Sequence, residues 1–174
     1  MTHRFQGDAE RFEVLAEFIA DRYGRSVRHI ADVAGGQGML ARVLTKRHGY
    51  AAEVIDPRGW ALRGVAARTA TFGSSDATYY DLVVGLHPDE ATRAVAEAAS
   101  VRPVVLVPCC NFWDRSRRLG RNALIDAIAH DYRTRHVDCE VVELGFRGPM
   151  NRALVSTPPA ARFRMTSTRA RACR

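Results

Sequence analysis

Residues 32–38 read Asp-Val-Ala-Gly-Gly-Gln-Gly, and this stretch decides how the rest of the chain is interpreted. It closes an apolar run at residues 30–34 that is typical of a buried strand, and it opens a helix-like segment at residues 39–48. A glycine-rich turn between a strand and a helix lets the backbone approach a ligand closely. The helix N-terminus that follows presents unpaired N–H groups. The stretch therefore predicts a cradle for a nucleotide or a related cofactor.

The length and composition indicate one globular domain. The chain has 174 residues, of which 47% are hydrophobic, and this is too short for two ordinary domains. No apolar run reaches the roughly 18 residues of a membrane span, and residues 1–8 are polar, unlike a signal peptide. We therefore expect a cytoplasmic protein without a membrane partner. The sequence does not indicate the oligomeric state.

The four cysteines do not predict a metal site. Cys109 and Cys110 are adjacent, whereas Cys139 and Cys173 are isolated, and no Cys-x-x-Cys or Cys/His ligand spacing occurs. We expect reduced thiols and no bound metal.

The net charge of +7 comes almost wholly from arginine, because Lys46 is the single lysine. A basic protein favours an anionic partner such as RNA. The alternative is a solvated surface that reflects genomic codon bias.

Strands and helices alternate along the chain. We predict strands at residues 29–34, 51–55, 69–72, 80–86, 103–108, 140–146 and 152–156, and helices at residues 8–23, 39–48, 60–67, 89–99 and 122–132. Such alternation indicates right-handed crossovers and a mostly parallel sheet with helices on both faces. The last two strands are joined by a short turn and must pair antiparallel. We place one domain at residues 1–159, with an N-terminal helix within 8–24, and expect the basic residues 160–174 to be a disordered tail.

This Rossmann-like pattern, with seven strands and a C-terminal antiparallel hairpin, resembles the class I S-adenosylmethionine-dependent methyltransferases. Their acidic-x-Gly/Ala-x-Gly-x-Gly motif is matched by Asp32, Ala34, Gly36 and Gly38. The resemblance implies S-adenosyl-L-methionine as the cofactor, with its ribose hydroxyls on Asp56 and its adenine beside Asp76. It places the following residues at the cofactor: Asp32, Ala34, Gly35, Gly36, Gly38, Asp56, Asp76 and His87.

A dinucleotide cofactor is the alternative for the same turn. Gly36-x-Gly38-x-x-Ala41 satisfies a loose dinucleotide fingerprint, and Asp56 lies near the expected offset. A dehydrogenase, however, usually has a second mononucleotide half and a substrate domain, for which this chain has little room. A plain tight turn between strand and helix is the third interpretation.

A second motif reads His-x-Asp-Glu-x-Thr at residues 87–92 and Pro-Cys-Cys at residues 108–110. This pair resembles the eukaryotic tRNA uridine 2′-O-methyltransferases and implies an RNA substrate with a ribose hydroxyl as acceptor. His87 could act as general base. The candidate catalytic residues are His87, Asp89 and Asn111. The alternative for Asp89 and Glu90 is that they complement a helix dipole.

Aromatic and basic residues after the fifth strand predict substrate contacts, because aromatic rings stack on bases and guanidinium groups bind phosphates. The candidate substrate-binding residues are Cys110, Phe112, Trp113, Arg115, Asn151 and Arg152. Cys110 and Trp113 could instead be packing groups, and the arginines could form a solvated loop.

We predict from these patterns a methyltransferase that modifies RNA. One alternative is a small-molecule methyltransferase with the N-terminal helix as a lid. The other is a catalytically silent cofactor-fold protein that serves as an RNA-binding subunit.

Overall fold

The computed structural model describes residues 8–148 and 150–159, and the predicted tail at residues 160–174 lies outside them. The described residues form a seven-stranded sheet with helices on both faces. The strands are β1 His29–Val33, β2 Ala51–Ile55, β3 Ala67–Arg68, β4 Leu82–Leu86, β5 Val104–Val107, β6 Asp138–Glu143 and β7 Arg152–Thr157. The helices are α1 Arg11–Tyr23, α2 Met39–His48, α3 Thr92–Ala98 and α4 Arg121–Thr134. The predicted α/β architecture is confirmed.

The strands lie in the order β3-β2-β1-β4-β5-β7-β6. β1 pairs in parallel with β2 and β4, and β4 pairs in parallel with β5. β7 runs antiparallel to β6, as the short turn between the last two strands predicts, and it also runs antiparallel to β5. The carboxyl ends of β1, β2, β4 and β5 therefore meet at one edge of the sheet, and loops from four different segments converge there.

The sheet separates two apolar layers, because successive side chains of a strand point to opposite faces. Ile30 and Leu82 pack with α1 and α2, whereas their chain neighbours Ala31 and Val83 pack with α3 and α4. Each fully buried aliphatic side chain of this kind contributes about 1.5–3 kcal/mol relative to exposure. Two covered faces hold the carboxyl edge of the central strands rigid.

Helix α2 has the bounds that the sequence predicts. It begins after Gly38 and ends before Gly49, and both glycines adopt the left-handed conformation, with φ of 76° and 75°. The Gly49 N–H caps the helix by donating to the Leu44 carbonyl. Leu40 and Leu44 face the core.

The segment between β2 and β4 corrects the prediction. Residues 60–66 form turns and loop and not the helix predicted over residues 60–67, because Gly59 and Gly64 adopt positive φ angles of 64° and 82° and interrupt helical geometry. The third strand is only Ala67–Arg68, where the backbone pairs with Val54 and Ile55 of β2, and not residues 69–72. Residues 74–79 form a 3₁₀ helix.

Within the described part of the chain, every helix is too short or too polar to span a bilayer.

Candidate functional site at the carboxyl ends of the strands

The glycine-rich turn joins the carboxyl end of β1 to α2. Ala34 and Gly36 have positive φ angles of 54° and 58°, and the Ala34 N–H donates a 2.8 Å hydrogen bond to the Ile55 carbonyl of β2. At Gly38, a Cβ would lie 2.7 Å from a methyl carbon of Val54, which is closer than any side chain tolerates. The turn is thus held tightly against β2.

Asp32 lies beneath the turn and is 1% exposed. Its carboxylate accepts a 3.2 Å hydrogen bond from the Ala41 N–H in the first turn of α2. A Cβ on Gly35 would lie 2.5 Å from the Asp32 carboxyl carbon, so the glycine leaves space for this acid. Burial raises the pKa of Asp32 to about 7, against the opposing effect of the Ala41 hydrogen bond. Asp32 supports the turn from below.

Asp56 follows β2 and is 2% exposed. One carboxylate oxygen accepts hydrogen bonds of 2.9 Å from the Arg58 N–H and from Arg58 Nε. The other accepts a 2.9 Å bond from the Gly36 N–H and a 2.6 Å bond from Arg58 Nη2. Burial alone would raise the pKa of Asp56, but the bonds from Arg58 and Gly36 outweigh it and hold that pKa below its ordinary value.

Arg58 is one of the residues at this edge that sequence reasoning missed, and it is the one that contacts Asp56 directly. Its guanidinium group also lies 4.8 Å from the centre of the Trp60 ring, in a cation–π contact. The Arg58 side chain is 42% exposed and covers the buried Asp56 carboxylate on the side that faces solvent. Its position two residues after Asp56 was the available signal, but an arginine side chain has too many rotamers for sequence to fix its direction.

A cleft of about 620 Å³ lies over the carboxyl edge. It contains seven of the residues that the sequence predicts: Asp32, Ala34, Gly35, Gly36, His87, Asp89 and Cys110. It also contains nine that the predicted site did not include: Arg11, Phe12, Gln37, Met39, Leu40, Arg58, Trp60, Leu86 and Cys109. A neighbouring cavity of about 290 Å³ contains Asp56, and Gly36 and Trp60 line both spaces.

His87 follows β4 in a strained backbone conformation, with φ of 55°. Its Nε2 lies 3.0 Å from the Met150 carbonyl oxygen, which can only accept, so Nε2 carries the proton and Nδ1 is the acceptor nitrogen of the ring. The ring packs edge-on against Phe146 at 6.5 Å between centroids. Burial lowers the pKa of His87, which favours the neutral imidazole.

Asp89 approaches the cysteine pair that follows β5. The Cys109 thiol donates to the Asp89 carboxylate over 3.3 Å. Burial, with the neighbouring Asp89, raises the pKa of the Cys109 thiol. Cys110 is exposed, and one ligand atom from each of these three residues lies within 4.8 Å of the others.

Asn111 stabilises the loop after β5 through hydrogen bonds and does not line the cleft. Its Nδ2 donates to the Asp114 carbonyl at 2.7 Å, and its Oδ1 accepts from the Asp114 N–H at 3.1 Å. The same loop places the Arg115 guanidinium 5.1 Å from the Phe112 ring centre and 2.9 Å from the Glu90 carboxylate. The predicted catalytic role of Asn111 therefore has no geometric support.

Four further predicted residues lie outside the cleft. Trp113 is 9% exposed, belongs to the core beside α3 and α4, and stacks under Arg93. Asp76 accepts a 2.9 Å bond from the Gly73 N–H and caps the 3₁₀ helix. Asn151 donates to the Leu144 carbonyl at 3.0 Å and holds the hairpin turn together. Arg152 donates to Asn122 of α4 at 3.1 Å. Packing and capping explain the positions of all four.

No protein-family model matches the chain, and no curated protein matches it in sequence. Solved structures do match its fold. DesVI of Streptomyces venezuelae is 15% identical with a TM-score of 0.55, and the match covers 86% of this chain and 91% of that one. A protein of Methanococcus maripaludis, named as a candidate S-adenosyl-L-methionine-dependent methyltransferase, is 14% identical with a TM-score of 0.54, over 91% and 97% of the two chains.

A mutant of MtNAS in complex with S-adenosylmethionine is similar over 86% of this chain and 62% of that one, with 15% identity and a TM-score of 0.52. At these identities the likeness shows the fold alone. The chain has the Rossmann-like class I methyltransferase fold, as the arrangement of strands predicts.

Proposed function

We propose that the chain is an S-adenosylmethionine-dependent methyltransferase that acts on RNA. The observation that carries the cofactor assignment is the Asp56 carboxylate, bonded to the Gly36 N–H of the glycine turn at the edge of the cleft. When bound, S-adenosylmethionine would supply a methyl group whose bonding electron pair stays on sulfur, while a lone pair of the acceptor forms the new bond. The cleft of about 620 Å³ falls within the size range of small-molecule sites, and the cavity that contains Asp56 adjoins it.

Asp56 fits a ribose diol once the Arg58 side chain moves. A carboxylate has about four acceptor positions, and the Arg58 side chain fills one position on each oxygen of Asp56. Its departure would free one acceptor position per oxygen, which matches the two neighbouring hydroxyls of a ribose. The backbone bonds from Gly36 and Arg58 would continue to orient the carboxylate.

His87 suits the acceptor end of the cleft. Its Nε2–H is held by the Met150 carbonyl, so Nδ1 could accept a hydrogen bond from the acceptor hydroxyl. The proton that this hydroxyl loses would pass to Nδ1 and on to water. Asp89 and Cys110 border the same space.

An RNA substrate is supported by the meeting of the two segments that resemble the tRNA uridine 2′-O-methyltransferases. Asp89 touches Cys109, and Glu90 pairs with Arg115 across the same edge. The loop that follows exposes Arg117, Arg118 and the first residue of α4, Arg121. Guanidinium groups exposed on this loop would bind the phosphates of a polynucleotide.

A small-molecule acceptor is the second candidate. Arg11 and Phe12, at the start of α1, line the cleft and narrow the access to it. A cleft that is narrowed by these two side chains would enclose a small substrate and would leave less room for a folded RNA.

Two measurements test the proposal. Calorimetry with S-adenosylhomocysteine should show saturable binding, and binding of NADH in its place would overturn the cofactor assignment. Incubation with labelled methyl donor and total RNA should label material that nuclease degrades. Label found only in small molecules would support the second candidate, and cofactor binding without any transfer would indicate a silent subunit.

Arginine variants refine the RNA test. The double variant Arg117→Ala, Arg118→Ala should lower RNA labelling at low salt, make the labelling fall less steeply as salt rises, and leave S-adenosylhomocysteine binding unchanged. Arg25→Ala is the matched control, because Arg25 is also exposed but precedes β1 at the opposite edge of the sheet. Equal losses in both proteins would contradict a phosphate-binding role for the loop.

A further inference from the structure

Asp89, Cys109 and Cys110 are brought together by the pairing of β4 and β5. Leu86 and Val107, the last residues of these parallel strands, are partners in the register. The segments that follow therefore leave the sheet side by side, and the Asp89 carboxylate reaches the Cys109 sulfur over 3.3 Å. Residues 20 positions apart in the chain form one cluster.

The two adjacent cysteines can present their sulfur atoms to one point. Within a strand, neighbouring side chains would point to opposite faces. β5 ends at Val107, however, and the chain turns after it, with the Phe112 N–H donating a 2.8 Å bond to the Cys110 carbonyl. This turn leaves one ligand atom each from Asp89, Cys109 and Cys110 within 4.8 Å of the others.

The spacing suits a tetrahedral zinc ion. With Zn–S bonds of about 2.3 Å and Zn–O bonds of about 2.1 Å, tetrahedral geometry sets two sulfurs about 3.8 Å apart and a sulfur and an oxygen about 3.6 Å apart. The three ligand atoms already lie within 4.8 Å of one another, so side-chain rotations alone would bring them to the distances of a zinc site. Thiolate ligands favour zinc over magnesium or calcium, which prefer oxygen.

The surrounding charges are compatible with such an ion. Two thiolates and one carboxylate carry three negative charges, so a zinc ion leaves one uncompensated. The Arg58 guanidinium lies within electrostatic range of Asp89, and that of Arg11 lies within range of Cys109. These cations line the same cleft and, although Arg58 also pairs with Asp56, both lower the energy of the remaining negative charge.

We propose that Asp89, Cys109 and Cys110 bind one zinc ion at the wall of the cleft. Three protein ligands leave a fourth position open, as in zinc sites that also coordinate water or a substrate atom. All three residues line the cleft, so that position is accessible from it. The proposed site differs from the sequence-based expectation of no metal. That expectation considered only the spacing of cysteines and histidines, whereas the third ligand is the Asp89 carboxylate, which only the fold brings near the cysteines.

Zinc titration of the full chain tests the proposal without any methyl donor. Protein stripped with a chelator and kept reduced should take up one zinc ion per chain in competition with a colorimetric chelator. Cobalt in place of zinc should give a sulfur-to-metal charge-transfer band and the intense visible bands of tetrahedral coordination. Absence of stoichiometric uptake, or cobalt spectra without sulfur ligation, would overturn the site.

Variants distinguish this cluster from the other thiols. Cys109→Ser, Cys110→Ser and Asp89→Asn should each weaken zinc binding at least about tenfold. Cys139→Ser, which alters a thiol on β6, and Cys173→Ser should bind zinc as the unaltered chain does. Circular dichroism of the metal-free variants would show whether they fold. Folded Cys110→Ser with unchanged affinity would refute the proposal, and so would a loss of binding in Cys139→Ser or Cys173→Ser.

Discussion

The Asp56 carboxylate accepts four hydrogen bonds, of which Arg58 donates three and the Gly36 N–H donates the fourth. Two of these bonds come from the guanidinium group and two from backbone N–H groups. The backbone bonds fix the direction of the carboxylate. The side-chain bonds occupy the outward positions, where a ribose would bind. Arg58 is therefore a competitor for the proposed cofactor site.

Replacement of Arg58 tests this competition. Arg58→Ala should bind S-adenosylhomocysteine about threefold to tenfold more tightly in calorimetry, since ~1 kcal/mol of existing hydrogen bonding no longer has to be broken. Arg25→Ala, which replaces an exposed arginine that precedes β1 at the opposite edge of the sheet, should leave the dissociation constant unchanged. Weaker binding by Arg58→Ala would show that the guanidinium contacts the ligand directly.

Replacement of Asp56 should have the opposite effect. Asp56→Ala removes the acceptors for the ribose and should weaken S-adenosylhomocysteine binding by roughly 1–3 kcal/mol. Asp76→Ala is the matched control, because this carboxylate caps a 3₁₀ helix outside the cleft. We expect it to lower the thermal midpoint without changing affinity. Unchanged affinity in Asp56→Ala would exclude Asp56 as the ribose ligand, and weakened affinity in Asp76→Ala would restore the predicted adenine contact.

Asp32 makes a pH dependence measurable. Its native pKa of about 7 lies above the ordinary value of 3.8, so between these values the native state keeps a proton that the unfolded chain has released. Stability due to Asp32 therefore falls as pH rises from about 4 to 7 and stays low above that range.

The variant Asp32→Asn should lack this fall. One pKa unit corresponds to about 1.4 kcal/mol. As pH rises from 4 to 8, the difference in free energy of unfolding between Asp32→Asn and the unaltered chain should therefore shift by a few kcal/mol in favour of the variant. Urea denaturation across this range measures the difference. Asp126→Asn, at an exposed position of α4, is the control. Parallel curves for the Asp32 variant and the unaltered chain would contradict a raised pKa.

Gly35 should resist substitution for steric reasons. A Cβ would lie 2.5 Å from the Asp32 carboxyl carbon, so Gly35→Ala should reduce the free energy of unfolding by about 2 kcal/mol. Gly120→Ala is the comparison, because its Cβ would meet nothing within 4 Å. Denaturant titration of both proteins gives the answer, and equal stability of the two would mean that Asp32 is not packed beneath the turn.

Prediction from the sequence was most accurate for segments whose own residues define where they begin and end. The bounds of α2 and β2 were predicted as observed, since glycines flank the helix and the Asp56-Pro57 turn ends the strand. The segment at residues 60–67 was mispredicted, because its apolar residues fit a helix while Gly59 and Gly64 adopt conformations that exclude one. The site was predicted at the carboxyl edge of the sheet, because parallel strands place their carboxyl ends together, and the cleft of about 620 Å³ lies at that edge.

The individual side chains of that edge were harder to predict. Trp113 was predicted to contact a substrate, with a packing role as the alternative, and the structure places it in the core beside α3 and α4. Asn111 was expected to act in catalysis, but its amide groups are taken up by the loop that carries it. In both cases the residue type suited two roles, and local sequence does not distinguish them.

The amino-acid sequence by itself determined the alternation of strands and helices, the glycine turn after β1 and the acidic residue after β2. These features depend on backbone dihedral preferences and on burial periodicity within single segments. Only the tertiary structure decided that Arg58 covers Asp56 and that Asp89 meets Cys109 and Cys110. Those contacts depend on strand register and on side-chain rotamers, which are fixed only when segments distant in the chain pack together.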